Sequence, residues 1–126
     1  MLDIHIKTVK HSKQRYPTVG DWLWHGQTLT IFVSEMCNWR TESLIAIHEL
    51  VEALLCKDQD VTQKEVDAFD MEYESARRPD DWVSEPGDDP TAPYHEQHKF
   101  ATVIERLLCM ELGVKWHEYE KLIQEL

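Results

Sequence analysis

The sequence predicts an α+β domain: a small N-terminal antiparallel sheet packed on about three main helices. Three observations predict it. Residues 2–9 and 19–33 alternate with a period of two, residues after Thr41 follow the helical period, and strands precede helices with no return. A chain of 126 residues fits one such domain and can bury a core without disulfides or a structural metal. Residues 1–126 are therefore read as a single domain, strand-rich over 1–40 and helical over 41–126.

Each element has its own signal. Leu2, Ile4 and Ile6 share one face of a first strand. VGDWLW and TLTIFV flank His25-Gly26-Gln27, which reads as a hairpin turn. The three strands are expected to be antiparallel where adjacent. Thr41 has the chemistry of an N-cap, and the apolar period behind it runs to about Cys56. In the second helix Thr62 and Glu65 form a capping box, Val61 can staple to Val66, and Val66, Phe69 and Tyr73 make an apolar stripe. Residues 77–93, RRPDDWVSEPGDDPTAP, carry four prolines and a glycine among acids, too broken for a helix. Loops of this length in compact domains often cover or bind something, and Trp82 in its middle is a candidate docking and substrate-binding residue. A third helix runs from about Tyr94 to Leu112 and stops at Gly113, before an amphipathic end with Trp116, Tyr119 and Ile123.

The formal charge of −11 is uneven: residues 1–40 hold five Lys or Arg against three acids, residues 41–126 eight against 21. Such a surplus repels phosphate backbones, so no nucleic-acid partner is expected; Lys7, Lys10, Lys13 and Arg15 read as the solubilising charges of an edge strand. Cys37, Cys56 and Cys109 are odd in number and form no CxxC pair, which argues against a disulfide framework or a thiolate zinc ribbon. Asp3, His5 and Lys7 stand where a signal peptide needs its apolar stretch, and no apolar run reaches membrane-spanning length. A cytoplasmic chain with no membrane partner is expected, of unspecified oligomeric state.

The segment LIAIHELVEALLC, residues 44–56, carries the chemistry. At ~100° per residue, Leu44, Ala46, Ile47, Leu50, Val51, Ala53, Leu54 and Leu55 cover most of the helix circumference, so burial nearly all round is expected. His48, Glu49, Glu52 and Cys56 crowd into the sector left over. Buried carboxylates become protonated, paired or metal-bound. The third helix offers a matching stripe of His98, Thr102, Glu105 and Cys109, with His95 and Arg106 at its edge and Phe100, Ile104 and Leu108 opposite. Asp70 intrudes on the apolar sector of the second helix. A shared cation accounts for all three stripes; a polar network of His48 with Glu105 and of Arg106 with Glu52 is the plain alternative. Trp22 and Trp24 point to one strand face and are candidates to line a substrate cleft.

LTIFVSEM followed by TESLIAIHELVEALL, within residues 29–56, resembles the core of the zincin metallohydrolases, in which a strand precedes a helix bearing HExxH. The resemblance implies His48 as a metal ligand and Glu49 as the general base that activates water, with Glu52 where the second His would stand. A carboxylate also ligates zinc, while the change of donor moves metal preference toward manganese or iron. With His98 as third ligand and Asp70 or His95 as an additional or alternative one, the expectation is a zincin-like metal-dependent hydrolase. Zinc ranks first, and the substrate, a peptide or small molecule, is open among peptide, amide and phosphoester. Glu49-x-x-Glu52 and Asp67-x-x-Asp70 also resemble the acidic helices of all-α NTP pyrophosphohydrolases, which implies magnesium; N-terminal strands have no place in that fold, and histidines are not what magnesium prefers. PGDDPTAPYHEQH and GVKWHEY resemble small uncharacterised phage and prophage proteins, which implies a further alternative, a non-catalytic metal-binding interaction protein.

Overall fold

The tight turn at Gly26–Gln27 joins two strands directly. Gly26 sits at φ +61°, in the left-handed region that a side chain disfavours. The strands on either side, β2 (Gly20–His25) and β3 (Thr28–Ser34), pair antiparallel. The first strand, β1 (Asp3–Val9), reaches β2 only through residues 10–19, a connection long enough to pass over a strand position. β3 fills that position, giving the order β1-β3-β2 with β1 parallel to β3. The antiparallel expectation therefore holds for β2–β3 and is corrected for β1–β3. The central place goes to the strand whose Leu29, Ile31 and Val33 are all buried, while Lys7-bearing β1 takes an edge.

Among the described residues four α-helices follow, α1 (Trp39–Asp58), α2 (Gln63–Ser75), α3 (His95–Glu111) and α4 (Trp116–Gln124), completing the α+β architecture. This computed structural model describes residues 1–81 and 84–126; Trp82, and the role expected of it, lie outside the described residues. No helix among those described is long and apolar enough to cross a membrane.

The cap of α1 is Asn38 rather than Thr41. The Asn38 side chain accepts from the Arg40 and Thr41 amides, while the Thr41 hydroxyl donates to the Asn38 carbonyl from inside the first turn. α2 starts as its sequence indicates, with Thr62 accepting from the Glu65 amide. α1 lies across β3 and β2, and α3 runs antiparallel beside α1. Leu29, Ile31, Val33, Leu44, Ile45, Ala53, Cys56 and Tyr119 form the centre of the core. Ile4 and Ile6 share the face of Leu29 and Ile31 by register, yet both are exposed, because the helices cover β2 and β3 and stop short of β1. Burial of α1 is also less complete than its composition suggests: Leu54 is exposed, and Ile47, Leu50 and Val51 are half-buried.

The basic segment is used structurally. Arg15 bridges Asp21 of β2 and Asp67 of α2 at 2.8 and 3.1 Å, and Gln14 reaches the Val19 and Phe32 carbonyls, so residues 10–19 are tied across the end of the sheet.

Candidate metal centre

The i,i+4 spacing of His48 and Glu52 places both on one face of α1, and antiparallel pairing sets that face against His98 and Glu105 of α3. Three donor atoms converge there. His48 Nε2 lies 3.1 Å from Glu52 Oε2 and 3.1 Å from His98 Nδ1, and His98 Nδ1 lies 3.0 Å from Glu52 Oε2. All three residues are buried. The triangle is close to that of three ligands on one small cation: bonds of about 2.0–2.1 Å in a tetrahedral sphere separate donors by about 3.3 Å. A few tenths of an ångström of breathing makes the two equal.

Each donor residue is also held from behind. His48 Nδ1 lies 2.7 Å from Glu105 Oε1, and the other oxygen of Glu105 accepts from the Tyr119 hydroxyl at 2.5 Å. An N–H on Nδ1 toward that carboxylate leaves the Nε2 lone pair aimed into the triangle, the orientation a ligating imidazole requires. The Trp22 indole N–H donates to Glu52 Oε1 at 3.0 Å, freeing Oε2 for the triangle. His98 Nε2 faces oxygens of Glu85 and Asp88, each 3.2 Å away, in an ion-pair approach rather than an aligned hydrogen bond. The same His98 thus belongs to a second donor group with Glu85 and Asp88; no third group of donors gathers among the described residues.

The electrostatics follow from these contacts. Burial works against charge on His48, but Glu105 and Glu52 outweigh it and hold its pKa well above the usual imidazole range. His98 is pushed up to about 12, burial being outweighed by Asp88, Glu52 and Glu85. Glu52 falls to about 2, because hydrogen bonds to His48 and His98 overcome its burial. Two N–H groups cannot face each other across 3.1 Å, so the two rings share at least one lone pair at the triangle. The same contacts can close around a shared proton or around a cation.

Glu49 is the next residue on α1, beside Gly20 of β2. A Cβ on Gly20 would meet Glu49 Cγ and Oε1 at 2.7 Å, so the glycine is what admits this carboxyl. Burial, then the charge of Glu52, raises the Glu49 pKa well above normal. It lines a cavity of about 650 Å³ together with His48, Glu52, Asp70, Tyr94 and His98. Ten of the lining residues are Asp or Glu, against two arginines, so the cavity favours cations and neutral groups over polyanions. Described residues of the 77–93 loop, from Arg77 to Gly87, line it too. Gly87 presses on the His98 ring, and His95 Nδ1 pins the Gly87 carbonyl at 3.0 Å.

The sequence candidates therefore divide. His48, Glu52 and His98 come together, with Glu49 in the same cavity. Asp70 lines that cavity but outside the triangle, accepting from Tyr94 at 2.5 Å and Tyr16 at 3.0 Å; burial lifts its pKa to about 6 against those two hydrogen bonds. His95 serves the loop rather than the triangle. Trp22 is a buried partner of Glu52 and lines the 650 Å³ cavity, whereas Trp24 lies under Lys57 in a separate pocket of about 230 Å³. Arg106 stacks on Trp116 instead of pairing with Glu52. Glu49, Glu52, Asp67 and Asp70 do not gather as a magnesium site would need, since Asp67 is bonded to Arg15 and Asp70 to the tyrosines. Sequence reasoning missed Tyr16, Tyr94, Glu85, Gly87 and Asp88; the one available signal was the Glu85-Pro-Gly-Asp88 turn inside an acidic loop. No family model, curated protein or solved structure matches the chain.

Proposed function

We propose that the chain is a metal-dependent hydrolase whose ion is held by His48 Nε2, Glu52 Oε2 and His98 Nδ1. The observation that carries the reading is the donor triangle, 3.0–3.1 Å on each side and backed at all three corners by a second polar partner. Two imidazoles and one carboxylate suit zinc first, and manganese or iron next. When bound, such an ion supplies Lewis acidity, polarising a carbonyl or phosphoryl oxygen and bringing the pKa of water toward ~7. Glu49 takes the proton as water attacks and returns it to the leaving group; a carboxyl raised by burial suits both halves of that task. Glu105 and Tyr119 hold the His48 tautomer, and Asp88 holds the His98 ring. The acidic walls favour a peptide or other amide over a phosphoester. Three unpaired cysteines fit a reducing compartment, and the proposal places the chain in the cytoplasm.

A second reading has its own observation: the triangle also closes around a proton, so it would serve as a buried polar clamp between α1 and α3 with no turnover. Three variants separate the two. Under the hydrolase reading Glu49→Gln keeps its metal and loses about 10²-fold or more in turnover on a panel of peptide, amide and phosphoester substrates. Glu52→Gln and His48→Ala lose the metal itself. Equal metal loss in Glu49→Gln and Glu52→Gln, with none in His48→Ala, would refute this ligand set. A metal-free wild type, inactive on the whole panel, leaves the clamp.

A further inference from the structure

The outer face of α3 is apolar where solvent would call for polar residues. Phe100, Val103, Leu107 and Met110 are 51, 50, 56 and 74 % exposed. Their 3-4-3 spacing is that of one helical seam, which meets a second helix rather than water. The seam continues sideways: half-buried Ile104 leads toward α1, whose solvent side carries Ile47, Val51 and the 38 % exposed Leu54. Two antiparallel helices thus present a joint apolar face on the side away from the donor triangle. Single exposed apolar residues need no explanation, but a contiguous group of this kind on an acidic protein does.

We infer that this face binds a second copy of the chain, forming a two-fold symmetric dimer through α1 and α3. Two observations select that occupant. The first is charge. The chain carries −11, so most of its surface repels another copy, yet the exposed charged residues of α1 and α3 are Arg40, Lys57, Lys99 and Arg106 against Asp58, Glu96 and Glu111, with Arg40, Lys57 and Arg106 each also stacked on a tryptophan of the same chain. Signs are balanced here, and a two-fold axis lets the basic and acidic rim residues of one copy meet those of the other. The second is area. The exposed parts of Phe100, Val103, Leu107, Met110 and Leu54 come to about 500 Å² per copy, and the surrounding exposed atoms bring the contact toward the ~800 Å² per partner of a standard interface. The face is also self-complementary in kind, apolar helix pair on apolar helix pair, as in a four-helix bundle. The site's cavity opens on the other side of α3, so the dimer and the hydrolase reading stand independently.

The test is sedimentation equilibrium of the full untagged chain, with reductant present because exposed Cys37 could cross-link copies artificially. The expected mass is twice 14.9 kDa at micromolar concentration. Leu107→Glu and Phe100→Glu, both at half-exposed positions that tolerate a charge in the monomer, should each raise the dimer dissociation constant by about a hundredfold or more while leaving circular dichroism unchanged. Ile6→Glu, on the uncovered face of β1, should leave the dimer intact. A monomer at 100-micromolar order of concentration overturns the inference. So does a dimer that survives both α3 variants, or one that Ile6→Glu alone dissociates.

Discussion

Gly87→Ala offers a steric probe of the triangle that adds one methyl group and alters no charge. The Cβ would sit 2.4, 2.5 and 2.8 Å from Cγ, Nδ1 and Cδ2 of His98. Ordinary carbon contacts begin near 3.4 Å, so loop or ring must withdraw by about 1 Å. The φ of Gly87 lies outside the left-handed region, so the cost is one of space and not of backbone conformation. Overpacking of this size costs about 1–3 kcal/mol. Where that appears depends on whether the ring can relax without an ion. A fixed ring loses melting temperature, at roughly 3–5 °C per kcal/mol for this length. A ring that relaxes and must be forced back loses zinc affinity instead, about 10- to 100-fold. The assay is a pair: thermal melting in chelator, and zinc competition against a chromophoric chelator. The two losses together should account for the 1–3 kcal/mol. Wild-type melting and wild-type affinity in Gly87→Ala would refute the contact and the placement of His98 that depends on it.

Other expectations are simpler to state. Zinc binding should release the proton that the triangle otherwise shares, because the carboxylates around His48 and His98 favour keeping it on the rings and both inward nitrogens must be free to ligate; calorimetry in buffers of different ionisation enthalpy should show about one per ion, with affinity rising from pH 6 to 8. Asp70, at about 6 in the fold against 3.8 unfolded, binds more protons when folded, so its contribution makes stability fall as pH rises through that window. Asp70→Asn should remove that slope, shifting the variant-minus-wild-type stability difference by about 2–3 kcal/mol between pH 4 and 7.5 in denaturant titrations. An unchanged slope would place Asp70 in a wetter setting.

Much of the site was legible because it is local. His48, Glu49 and Glu52 declare their shared face through spacing alone, and His98 and Glu105 do the same two turns apart on α3. What spacing cannot give is which faces meet. Tyr16 and Tyr94 read as ordinary aromatics until tertiary packing brings their hydroxyls to Asp70. Glu85 and Asp88 carry no sequence signal beyond an acidic loop, and only the space left by Gly87 sets them on His98. In the sheet, the hairpin followed from its turn, whereas the parallel β1–β3 pair depends on a connection passing over a strand position, which no local period encodes. The Asn38 cap was overlooked because Thr41 is equally suited in type; the choice rests on which side chain lies outside the first turn.

His48, Glu52 and His98 form a site for an ion under the hydrolase reading. Elemental analysis of the untagged chain, purified without added metal, tests it most directly. The expected result is close to one zinc, manganese or iron per chain, lost in His48→Ala and Glu52→Gln, and a melting temperature that drops when a strong chelator removes the ion. A metal-free wild type whose melting is indifferent to chelator and to added divalent ions would contradict it.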